Sequence, residues 1–107
     1  MKVKRYVEPV GEVSGKIHTR RLINGERAEF FAYKAKGIIG SKKTDVYCVA
    51  ELKTGLNMTA HKTEKNAVWM STNYMNLALR KFPTMAAFAE QYRKDIAKKK
   101  AEASNAD

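Results

Sequence analysis

The sequence predicts a single α+β domain: an antiparallel sheet of four to five strands, made of two hairpins plus a short N-terminal strand, covered on one face by two C-terminal helices. Three observations carry that expectation. Asn24-Gly25 stands between two runs of β-formers, residues 45–62 alternate apolar and polar side chains, and from Glu64 onward apolar residues recur at helical spacing. With 107 residues the chain can bury one modest core without disulfides.

Val3 to Val7 alternates with Lys4, Arg5 and Tyr6 and reads as a short strand ended by Glu8-Pro9, because proline cannot donate to a ladder. Gly11 and Ser14-Gly15 then lead into the stretch Lys16–Lys36, around which the chain is organised. Asn-Gly is the signature of a two-residue type I′ hairpin turn. That turn would pair Ile23 with Glu26, Leu22 with Arg27, Arg20 with Glu29, His18 with Phe31 and Lys16 with Tyr33. Alternation then puts Ile17, Ile23, Ala28, Phe30 and Ala32 on a core face. Lys16, His18, Arg20, Leu22, Arg27, Glu29, Phe31 and Tyr33 fall on the opposite, solvent face.

Residues 37–44 read as a loop with two glycines. It lacks the glycine spacing and the following helix of a nucleoside-triphosphate loop. Asp45–Leu52 is the clearest strand, and Lys53-Thr54-Gly55 turns it into a second one, Leu56–Lys62. Val46, Cys48 and Ala50 match Leu56, Met58 and Ala60 on an apolar face; Tyr47, Val49 and Glu51 match Asn57, Thr59 and His61 on a polar one. Thr63 is placed to cap a helix beginning at Glu64, with Ala67, Val68, Ser71, Met75, Ala78, Leu79 and Phe82 on its inner stripe. Pro83 ends that run, and Thr84 caps a second helix carrying Met85, Phe88, Ala89, Tyr92 and Ile96. The ordered domain is expected to span 1–97, with 98–107 a frayed or disordered tail.

Lys and Arg number 21 against 11 acids, a formal charge of +10 with a pI near 9.8. Such an excess favours polyanionic partners. It is concentrated in the predicted sheet: residues 1–45 hold eleven basic residues against five acids, whereas 83–107 hold five against four. The lone Cys48 excludes an internal disulfide, and no apolar run suits a signal peptide or a membrane span. The expectation is a soluble, cytoplasmic protein.

Function is therefore sought on the solvent face. Single-strand binders combine a cationic groove with aromatic rings on which bases stack. Lys16, His18, Arg20, Arg27, Phe31 and Tyr33, joined by Tyr47 and His61, form the candidate nucleic-acid-binding set, with DNA and RNA both admitted. Phe31, Tyr33 and Tyr47 are its stacking candidates. Trp69, Met70 and Asn73, on the outer flank of the first helix, form a candidate protein-contact set. The alternative function is a small regulator or inhibitor that engages an acidic partner protein through the same sheet face or the Trp69 flank. A one-sided sheet with a Trp-bearing flank also leads to the expectation of a homodimer. His18 and His61 lack metal-ligand spacing, and neither a cofactor motif nor a catalytic constellation is evident.

Overall fold

The computed structural model describes residues 2–7, 11–39 and 42–104. Five strands, β1 (Val3–Val7), β2 (Gly11–Arg21), β3 (Arg27–Ile39), β4 (Lys42–Glu51) and β5 (Leu56–His61), form one antiparallel sheet in the order β1-β2-β3-β4-β5. Two helices, α1 (Glu64–Ala78) and α2 (Met85–Ser104), follow and pack against it. The predicted α+β architecture is thus the observed one. Both predicted caps are in place: Thr63 Oγ1 accepts the Asn66 N–H at 3.2 Å, and Thr84 Oγ1 accepts the Ala87 N–H at 3.1 Å.

The central turn differs from the expected two-residue form. The Gly25 N–H donates to the Leu22 carbonyl at 3.0 Å and the Leu22 N–H to the Glu26 carbonyl at 2.8 Å, closing a three-residue loop, Ile23-Asn24-Gly25. Gly25 takes φ +90°, while no described residue other than glycine takes a positive φ. This is the hairpin form that ends in a left-handed glycine bulge. Asn24 is occupied elsewhere. Its Oδ1 accepts the Glu26 N–H at 3.0 Å, and its Nδ2 donates to Glu26 and to the Pro83 carbonyl at 3.1 Å. Glu26 accepts the Met85 N–H at 2.9 Å, and the Ile23 N–H donates to Asn76 Oδ1 at 3.0 Å. The hairpin tip is clamped onto the connection between α1 and α2.

One extra loop residue shifts the register by one. Arg20 lies opposite Ala28, His18 opposite Phe30 and Ile17 opposite Phe31. A one-residue slip sends each side chain of one strand to the opposite face relative to its expected partners. The helix-covered face therefore carries Leu22, Ala28, Phe30 and Ala32, in line with Lys16, His18 and Arg20. Phe31 and Tyr33 lie on the other face, with Ile17 and Arg27. Leu22 is buried and Ile23 exposed, the reverse of the expectation. The faces of β4 are also the reverse of the expectation: Tyr47, Val49 and Glu51 lie on the helix side, opposite Lys34, Ala32 and Phe30 of β3, while Cys48 and Ala50 lie on the other. An irregularity between Cys48 and Ala50 lets both Met58 and Thr59 of β5 reach the helices.

The main core lies between the sheet and the helices: Leu22, Phe30, Val49, Leu56, Val68, Met75, Leu79 and Phe88 belong to one buried cluster. Two polar groups are built into it. Thr59, Ser71 and the Ala67 carbonyl close a hydrogen-bonded triangle at 2.7–2.9 Å. The fully buried Glu51 carboxylate accepts the N–H groups of Glu29 and Thr54, each at 2.7 Å, and the Thr54 hydroxyl at 3.0 Å. Those bonds hold the β4–β5 turn against β3, so the charge is buried but satisfied.

A second cluster occupies the face that the helices do not cover. Phe31, Tyr33 and Ala50 are buried there, with Val3, Val13, Ile17, Ala35, Cys48 and Leu52 packed around them. The Phe31 and Tyr33 rings stack with centroids 5.8 Å apart. Gly15 makes room: a Cβ at that position would lie 3.0 Å from the tip of the Phe31 ring and 2.2 Å from the Ala32 carbonyl oxygen. A glycine in the strand lets an aromatic ring lie across it where any side chain would collide. Burial pushes the Cys48 thiol and the neighbouring Tyr33 hydroxyl above their ordinary ranges. Because the thiolate is the nucleophile, Cys48 is expected to alkylate much more slowly at neutral pH than a free thiol. Timed iodoacetamide labelling of folded and denatured protein, read by mass spectrometry, checks this; equal rates would contradict it.

Two boundaries also move. β3 extends to Ile39 and β4 starts at Lys42, so most of the expected 37–44 loop is paired strand, with Gly37 opposite Thr44 and packed on Val46. Residues 40–41, like 8–10, lie outside the described segments. α2 continues to Ser104, past the Lys98 at which fraying was expected. Lysine, alanine and glutamate are strong helix formers and prolong the helix without a buried face. Among the described residues, no helix is long and apolar enough to cross a membrane.

Candidate functional site

α1 lies across β3, β4 and β5 and leaves the β2 side of the helix-bearing face open. Along that side runs a groove of about 600 Å³ between helix and strand, lined by Arg20, Lys65, Asn66, Val68, Trp69, Thr72 and Asn73. The spacing explains who meets there. Lys65, Trp69 and Asn73 are four residues apart on α1 and share one face. Arg20 reaches them from β2 because the observed register turns it to the helix side. Trp69 is 65% exposed, so its ring is a free wall of the groove. The Arg20 guanidinium is steadied by its donation to the Thr19 carbonyl at 2.9 Å.

Recesses flank the groove at both ends. Toward the start of α1, Lys2, Lys16, Lys34, Tyr47 and Glu64 surround a hollow of about 220 Å³. Toward its end, Asn73, Asn76, Leu77, Arg80 and Ile23 line another of about 420 Å³. The first hollow is separated from the main groove by a contact between β2 and α1, His18 Nε2 to Glu64 Oε2 at 3.1 Å. That contact occupies Glu64, the acid that lines the hollow. Lys36 is paired with Asp45, whose carboxyl is held below the usual carboxylate range by the Lys36 hydrogen bond. The result is a track in which Lys2, Lys16, Lys34, Arg20, Lys65 and Arg80 follow one side of α1.

The sequence-predicted set is thereby divided. Lys16, His18, Arg20, Tyr47 and His61 share the helix-bearing face with Trp69 and Asn73, so the two candidate sets expected to be separate are neighbours. Tyr47 is not an open stacking ring: it is half-buried against the core, and the Lys34 ammonium sits over it, 5.6 Å from the centroid. His61 is half-buried, and its Nδ1 accepts a long 3.4 Å hydrogen bond from the Thr63 N–H. Phe31 and Tyr33 are buried in the second cluster and offer no stacking surface, which corrects their assignment. Arg27 is exposed on the opposite face, across from Arg21, and takes no part in the groove. Met70 lies on the outer ridge of α1, exposed like Trp69.

Lys65 and Lys34 were not among the expected site residues. Lys65 was legible in principle, standing four residues before Trp69 on the same helix; Lys34 depended on the register. Among the described residues, no three or more His, Cys, Asp or Glu side chains are grouped to hold a metal ion. No protein family, characterised protein or solved structure matches the chain.

Proposed function

We propose that this chain is a nucleic-acid-binding module that holds a single strand, DNA or RNA, in the groove between α1 and β2. The observation that supports this most is Trp69: a tryptophan left exposed beside Arg20 and Lys65 in an open cationic channel. Arg and Lys there face the phosphates, and the indole offers a stacking platform, worth about 1–3 kcal/mol per base in known single-strand binders. A duplex keeps its bases stacked inside and gives Trp69 no ring to meet, which favours single strands. Asn66 and Asn73 add amide donors and acceptors within reach of base edges.

The test separates charge from stacking. Fluorescence anisotropy with labelled oligonucleotides is followed across a salt series. Arg20→Ala and Lys65→Ala are each expected to weaken binding to all sequences and to flatten the slope of log K against log salt by about 0.7. Trp69→Ala is expected to cost about 1–3 kcal/mol with the slope nearly unchanged. Arg27→Ala, on the far face, is expected to have little effect; an Arg27 loss as large as that of Arg20 would move the site to the opposite side of the sheet. Retention of an acidic protein, with no oligonucleotide bound at low salt, would favour the regulator reading instead.

A further inference from the structure

The outer ridge of α1 shares Asn73 and Leu77 with the groove and its far recess, yet it has a composition that contacts to a nucleic-acid strand do not explain. From Asn66 to Leu79 the chain has no charged residue, in a protein where 30% of residues are charged. Met70, Tyr74 and Leu77 are 37%, 45% and 58% exposed on that ridge, and Asn73 is exposed among them. Their spacing, i, i+3, i+4 and i+7, is that of a stripe that normally faces a partner element. Here the inner stripe of the same helix, Ala67, Val68, Ser71 and Met75, already faces the sheet, and one edge of the Tyr74 ring meets Phe88 of α2 while the rest of the ridge stays open.

We infer that this ridge is a homodimer contact, in which α1 packs antiparallel on α1 of a second copy. Two features of the ridge select that occupant. The first is charge: two chains of +10 repel, and an uncharged face lets them touch without burying like charges. A polyanion or an acidic protein would gain no ion pair from this stretch. The second is self-complementarity. A two-fold axis between Asn73 and Tyr74 sets Met70 against the partner's Leu77, and Asn73 against the partner's Tyr74. Apolar pairs then lie at both ends and an amide–hydroxyl pair at the centre, as an isologous interface requires. The helix is 15 residues, about 22 Å, so the contact is small and the dimer reversible. Each copy carries a formal charge of +10, so the two repel across the interface. Salt is therefore expected to strengthen the dimer, opposite in sign to its effect on nucleic-acid binding.

Sedimentation equilibrium of the full chain, from low micromolar to near-millimolar concentration at low and high salt, tests this. The expected result is a reversible monomer–dimer equilibrium that shifts toward dimer with salt. Met70→Lys/Leu77→Lys is expected to be monomeric, because it sets like charges against each other. Met70→Glu/Leu77→Lys is expected to recover the dimer, because antiparallel packing opposes unlike charges. Both positions are exposed, and circular dichroism melts of the two variants check that the fold is retained. A wild-type monomer throughout, or the same mass for both double variants, would overturn the inference.

Discussion

Replacing Phe31 with alanine is expected to destabilise the protein by about 3–5 kcal/mol, as much as replacing Phe30. The two are consecutive in β3 and point to opposite faces, so a sheet with one solvent face would make one of them nearly free to truncate. Both are 0% exposed. Phe30 is packed under α1 and α2, while Phe31 lies across Gly15 with Tyr33 stacked on it and Val13 and Ile17 alongside. Removing the Phe31 ring leaves a cavity over a glycine, which has no side chain to relax into it. Urea unfolding of the two variants beside wild type measures the difference. A loss below about 1 kcal/mol for Phe31→Ala alone would mean that the second cluster is open to water.

Gly15→Ala is expected to be at least as damaging, about 3 kcal/mol or more, for the opposite reason. The added methyl carbon would lie 2.2 Å from the Ala32 carbonyl oxygen, a backbone atom that cannot swing away. Either β2 moves off β3, breaking the pairing of Gly15 with Tyr33, or the Phe31 ring is expelled. The comparison is Gly25→Ala, where no atom lies within 4 Å and the strain comes from φ +90° alone. That change should cost less. Equal thermal shifts for the two would argue against the close approach of β2 to β3.

Much of the fold was legible because its signals are local. Thr63 and Thr84 announce their helices, Pro83 separates them, and the alternation from Val46 to Glu51 marks a strand without a distant partner, although it did not say which of its faces meets the helices: Tyr47, Val49 and Glu51 do, not Cys48 and Ala50. The register was not local. Asn24-Gly25 has the composition of a two-residue turn, but the Asn24 and Glu26 side chains bind Pro83 and Met85, about sixty residues away, and the loop opens by one residue to reach them. That single residue decides the faces. It carries Lys16, His18 and Arg20 to the helix side, where they meet Lys65 and Trp69, and turns Phe31 and Tyr33 into a second core. One sign was present in the sequence. The two-residue register left Leu22, Phe31 and Tyr33 together on a supposed solvent face, whereas the observed one groups Leu22 with Ala28, Phe30 and Ala32. The site residues were mostly identified by type, cations and aromatics, and their grouping depended on a tertiary contact.

The proposed site contains its own reporter, since Trp69 is the single tryptophan of the chain. Titrating the protein with an unlabelled single-stranded oligonucleotide at low salt, while following indole emission, reads the stacking contact itself. Saturable quenching is expected, reversed by added salt, weakened in Arg20→Ala and smaller with a duplex of the same sequence. Emission that stays constant through saturating single-stranded DNA and RNA would contradict the assignment of the α1–β2 groove as a nucleic-acid site.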